Sequence, residues 1–126
     1  MATILIVEDA TQVRVLSESY LRDQGHETLS AANVEEALAV FEVANEIDLL
    51  FTDINLQGDL QAGLTLAQTA TKRRPTLKVL YASGLSVTDG MKALFVDNSA
   101  FLPKPYTIDQ LQTILSVNFG IKPHPH

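Results

Sequence analysis

Apolar runs and helically spaced apolar residues alternate along this chain. "TILIV" (Thr3 to Val7) is a continuous β-branched run, which predicts a strand covered on both faces. Val13, Leu16 and Tyr20, with Leu21 beside them, recur at helical spacing, predict a first helix and are expected to share its buried face; Gly25 ends it. "ETLSA" (Glu27 to Ala31) is a weaker, more polar strand, as suits a sheet edge. Asn33 with Glu36 resembles a capping box, and Val34, Ala37, Leu38 and Phe41 mark the buried stripe of a second helix. "DLLFT" (Asp48 to Thr52) predicts the third strand, and Gly63 to Arg74 a third helix stopped by Pro75. "KVLYA" (Lys78 to Ala82) predicts the fourth strand, and Thr88 to Asp97 a poor helix interrupted by Gly90. "AFLP" (Ala100 to Pro103) predicts the fifth strand. Thr107 with Gln110 caps a last helix whose apolar face is Ile108, Leu111, Ile114 and Leu115.

This strand–helix alternation, five times over, predicts an α/β fold: a doubly wound parallel sheet with helices on both faces. The flavodoxin-like order 2-1-3-4-5 is the leading topology, and it places a ligand where strands 1 and 3 diverge. The 126 residues suit one domain, expected over residues 1–119. Residues 120–126, "GIKPHPH", read as a flexible tail, and His124 and His126 as part of it rather than as metal ligands.

Composition narrows the function. A net charge of −6 argues against nucleic acid or anionic membrane as a partner. The absence of cysteine excludes disulfides and thiolate metal sites. No apolar run is long enough to span a bilayer, and the N-terminus has no signal-peptide pattern, so a cytoplasmic protein is expected.

The chemistry collects at the strand ends. Glu8 and Asp9 end strand 1, and Asp53 ends strand 3 in "LLFTDINL". In the 2-1-3-4-5 order these carboxylates converge and repel, and a divalent cation removes the conflict. Oxygen ligands without thiol or imidazole suit Mg²⁺ rather than zinc. Ser83 in "YASG" and Lys104 in "LPKPY" reach the same edge. Acids to hold Mg²⁺, with a hydroxyl and an ammonium to orient phosphoryl oxygens, make a phosphoryl site with Asp53 as nucleophile.

"ILIVEDA", "FTDINL", "YASG" and "LPKPY" together resemble the receiver domain of two-component response regulators, over Thr3 to about Asn118. The resemblance implies that Asp53 accepts a phosphoryl group from a phosphohistidine on a histidine kinase or phosphotransfer protein. It implies Mg²⁺ bound by Glu8 or Asp9, by Asp53 and by the backbone carbonyl of Asn55. It implies phosphoryl contacts from Ser83 and Lys104, a switch comprising Ser83 and Phe101, and a cis Lys104–Pro105 bond. Val15, pointing away from the buried face of the first helix, is the expected donor-docking residue. Asn55 and Leu85 flank the path of the hydrolytic water, so slow self-dephosphorylation is expected. With no output domain in view, a stand-alone switch is expected, acting on an unidentified downstream protein. It would be a monomer or a weak homodimer through the face of the fourth helix, fifth strand and fifth helix. The loop "GDLQAG" is longer than usual in such domains, which predicts extra mobility beside the site, with Asp59 solvated. Three other classes fit less well. Haloacid-dehalogenase phosphatases carry a second aspartate where Asn55 stands, and no cap domain fits in the chain. A flavin binder would not cluster acids against its phosphate. A degenerate receiver would not keep this residue set.

Overall fold

The apolar run at the start of the chain is buried because both of its faces are covered. In the computed structural model, which describes residues 1–123, it forms β1 (Thr3–Val7), followed by β2 (Glu27–Ala31), β3 (Leu49–Asp53), β4 (Lys78–Ser83) and β5 (Ser99–Pro103). His124 and His126 lie outside the described residues. Between the strands run α1 (Thr11–Asp23), α2 (Val34–Val43), α3 (Ala62–Arg73) and α4 (Asp89–Lys92), and α5 (Ile108–Phe119) follows the last. All strand pairs are parallel, in the order β2-β1-β3-β4-β5 that the alternation predicts.

Successive side chains of a strand face opposite ways, so each strand feeds two cores. Leu5, Val7, Leu50 and Tyr81 pack with Phe41 of α2 and with Leu66 and Ala70 of α3. Ile4, Ile6, Phe51 and Leu80 pack with Leu21 of α1 and with Leu111 and Leu115 of α5. Side chains cap the starts of α2, α4 and α5. Asn33 accepts the Glu36 N–H at 2.9 Å, although Glu36 returns to the Ala32 N–H and not to Asn33. Thr107 and Gln110 form a complete capping box. Arg74, the C-cap of α3, serves the neighbouring helix: its guanidinium donates to the Phe41 and Ala44 carbonyls at the end of α2 and lies over the Phe41 ring. Arg73 pairs with Glu42.

Several expectations need correction. Leu16 is 70% exposed; the buried residues of α1 are Ser17 and Leu21. Ile108 is also exposed, at the first turn of α5. The fourth helix is a single turn and not the ten residues expected. Beyond Lys92 the chain tightens into three-residue turns, since Phe95 is drawn in to stack on Tyr81 at 4.3 Å and the Val96 N–H donates to the Tyr81 hydroxyl. Ile121, which the sequence assigns to the tail, is buried. Gly120 takes a left-handed turn that only glycine adopts freely, and the Ile121 N–H returns to Leu115 O.

Candidate functional site

Strand register assembles the site. Val7 lies opposite Thr52, so the next residues, Glu8 and Asp53, emerge side by side. Ser83 lies opposite Pro103, so Lys104 follows beside it, its N–H donating to Ser83 O at 2.9 Å. The Lys104–Pro105 bond is cis.

The Lys104 ammonium reaches two carboxylates, Asp53 Oδ2 at 2.9 Å and Glu8 Oε1 at 2.5 Å. Both acids are buried, whereas Asp9 is exposed. The other Glu8 oxygen accepts the Ala10 N–H, and Arg14 holds the Glu8 carbonyl at 2.8 Å. Asp9 Oδ2 accepts the Gln57 N–H at 2.9 Å. Burial, and then the shared hydrogen bond with Glu8, push the Asp53 carboxyl up to about 7, with Lys104 pulling the other way. Burial opposes the Lys104 ammonium, but its bonds to Glu8 and Asp53 prevail and raise its pKa. Burial would also raise Asp9; the Gln57 amide and the contact with Glu8 outweigh it, and its pKa is lowered.

Oxygens of Glu8, Asp9 and Asp53 all lie within 4.8 Å of one another. One ammonium among three carboxylates leaves an excess of negative charge. The donors are oxygens alone, and Asn55 Oδ1, two residues after Asp53, is buried with no protein donor. Such a set fits a small hard divalent cation.

The Ser83 hydroxyl accepts the Leu85 N–H at 3.0 Å, which leaves its own proton to donate elsewhere. Phe101 is half-buried and stacked on Phe95 at 6.4 Å, which makes it the third ring of a series starting at Tyr81. Val15 is exposed, as expected, but lies outside the apolar groove between α1 and the β5–α5 turn. That groove is lined instead by Val13, Leu16, Tyr20, Pro105, Tyr106 and Ile108, and the misread Leu16 and Ile108 are part of its wall. Three features escaped sequence reasoning. Gly63 packs so closely that a Cβ there would stand 1.9 Å from Asp53 O; a glycine at the start of a helix was the signal. The Tyr106 and Ser17 hydroxyls meet at 3.0 Å and tie α1 to the lysine turn; a serine four residues before Leu21 on one helix face was the signal. The loop beside the site opens on a hydrogen-bonded turn closed between Leu56 and Asp59, with the Asp59 carboxylate accepting the Gln61 N–H at 3.0 Å.

Comparison with known proteins agrees with this geometry. Residues 4–116 match the family model for the response regulator receiver domain. The chain is 32% identical over 114 residues to the sensor kinase CckA of Brucella abortus, which covers 89% of this chain and 12% of that protein. It is 31% identical over 112 residues to the nitrogen assimilation regulatory protein NtrX of Azorhizobium caulinodans, 88% of this chain and 24% of that one. The chain thus spans a small part of the curated relatives it matches. Among solved structures, the receiver domain of the hybrid histidine kinase CckA is 35% identical with a TM-score of 0.76, covering 92% of this chain and 97% of that one. The response regulator TrrA of Thermotoga maritima, solved in complex with Mg²⁺ and BeF, is 27% identical with a TM-score of 0.78, covering 94% of this chain and all of that one. With its sheet order, its clustered acids and these matches in accord, the chain belongs to the response regulator receiver domain family.

Proposed function

We propose that this domain takes a phosphoryl group onto Asp53 from a phosphohistidine on a histidine kinase or phosphotransfer protein, in the cytoplasm, and so alters a surface read by another protein. The observation that carries this reading is the buried Asp53 carboxylate, held by Lys104 within a cluster of acids. Asp53 presents a carboxylate oxygen as nucleophile, and a phosphorus–oxygen bond forms as the phosphorus–nitrogen bond to the donor imidazole breaks. Lys104 already balances negative charge on two sides and is placed to follow a phosphoryl oxygen. Ser83 has a proton free to donate to another such oxygen. Glu8, Asp9, Asp53 and the Asn55 carbonyl would hold Mg²⁺, which supplies positive field for the crowded oxygens. The groove between α1 and the β5–α5 turn, apolar and next to Lys104, suits docking of the donor.

The test is intact mass after incubation with acetyl phosphate and Mg²⁺. The wild type should gain one phosphate and Asp53→Asn none. Equal labelling of both would sink the assignment.

A further inference from the structure

We propose that the Leu56–Asp59 turn is a brace that holds Asp9 in its cation-binding orientation through the main-chain amide of Gln57, an inference that rests on the Mg²⁺ reading above. Asp9 is exposed, at the head of the loop that leads into α1. An exposed aspartate samples several rotamers, and each must be given up when a cation binds. Here one carboxylate oxygen is already fixed by the Gln57 N–H at 2.9 Å, and the second oxygen is left for other partners.

The amide is aimed by backbone geometry rather than by side chains. Gln57 and Gly58 both have positive φ, 53° and 82°. Leu56 and Asp59 close the turn with reciprocal bonds of 3.1 and 3.0 Å. Two consecutive positive-φ residues between the partners of a single antiparallel bridge make a tight turn of defined twist. Both ends are anchored: Leu56 is buried in the core, and the Asp59 carboxylate accepts the Gln61 N–H at the start of α3. The tip therefore cannot move away from Asp9 without breaking the turn. Partners that orient a metal ligand typically set its affinity by about 10–100-fold.

Gly58 offers a clean handle. A Cβ there meets nothing within 4 Å, so a valine acts first through its dislike of positive φ. Gln57→Ala is the companion variant, because it removes the side chain and keeps the amide. Affinity for Mg²⁺ alone is measured by calorimetric titration of the full chain, with thermal melts to show that each variant is folded. Amide exchange at Gln57 is followed in the wild type with and without Mg²⁺. Gly58→Val should bind Mg²⁺ about tenfold more weakly, Gln57→Ala within about twofold of wild type, and the Gln57 amide should stay protected when Mg²⁺ is added. A folded Gly58→Val with wild-type affinity, an equal loss in Gln57→Ala, or release of the Gln57 amide by Mg²⁺ would each overturn the brace. A wild type that binds no Mg²⁺ at all would overturn the metal reading beneath it, and the brace with it.

Discussion

Lys104 and Asp53 form an ion pair of 2.9 Å, and the same ammonium also holds Glu8 at 2.5 Å. Burial, and then the hydrogen bond with Glu8, outweigh the pull of Lys104, so Asp53 keeps a proton far more readily than in water, up to about pH 7. The sign of the stability effect follows. The folded chain binds a proton at Asp53 that the unfolded chain, with its ordinary aspartate near 3.8, has already lost. Stability from this group is therefore greatest below about pH 4 and declines as pH rises through 7. Asp53→Asn removes the decline. Without divalent cation, the variant should gain stability over wild type at pH 8, on the order of 1–2 kcal/mol. The gain is limited by the lost bond to Lys104, and it should shrink towards pH 5. Urea melts at the two pH values measure it; a difference that does not depend on pH would contradict the account.

Gly63 supports Asp53 from behind. A Cβ at this position would stand 1.9 Å from Asp53 O and 2.8 Å from Ile54 Cα, both main-chain atoms that cannot swing aside. The Gly63 N–H also donates to Ile54 O at 2.8 Å, so the helix start and the strand end are locked together. Gly63→Ala should cost about 2–3 kcal/mol through overpacking, despite alanine's better helix propensity. It should also slow acetyl phosphate labelling by moving the acceptor. A melting temperature equal to wild type would show that the contact relaxes freely.

The sheet was legible because β1, β3 and β4 are buried on both faces and read as apolar runs, and the acids and Lys104 because they stand at strand ends. Helix faces were harder to read. Leu16 and Ile108 have the spacing of core residues, yet they line an open groove, while Ser17 is buried because Tyr106 supplies a hydroxyl partner. Hydrophobic spacing gives a stripe; only the angle at which a helix sits on the sheet says which edge of that stripe is covered. The fourth helix failed for a similar reason, since the stacking of Phe95 on Tyr81 is a contact between distant residues that no local pattern shows. The Gln57 amide was out of reach as well, because a main-chain donor has no residue signature.

Docking should depend on the groove wall more than on Val15. Leu16 lines the groove with Tyr106 and Ile108, and Val15 does not. Both are exposed, so a charge at either position should leave the fold intact. Leu16→Asp should slow transfer from a cognate phosphohistidine donor by about tenfold or more, the loss of one apolar anchor. Val15→Asp should have a smaller effect. Labelling by acetyl phosphate should be unchanged in both. A larger effect at Val15 would place the donor on the outer face of α1.

The phosphorylated form should be long-lived, for a reason that lies two residues beyond Ser83. An acyl phosphate is lost when water attacks phosphorus in line, opposite the aspartyl oxygen. Leu85 follows closely enough on Ser83 that its N–H donates to the serine hydroxyl, and its side chain is half exposed rather than packed beneath α4. By the resemblance to receiver domains a leucine there would cover part of the approach, and it offers water no hydrogen bond. Asn55, on the β3 side, can still hold a water, so the expected result is slowing and not arrest. Replacing Leu85 with glutamate puts an acceptor on that approach. Orienting one water contributes on the order of 1–3 kcal/mol, or about ten- to hundredfold in rate. Decay of the phosphorylated protein, followed by intact mass at saturating Mg²⁺, should be faster by that factor in Leu85→Glu. Since Leu85 is not a core residue, the thermal melt of the variant should match wild type. Unchanged or slower decay would show that the leucine does not guard the path and that the lifetime is set by Asn55 or by the loop.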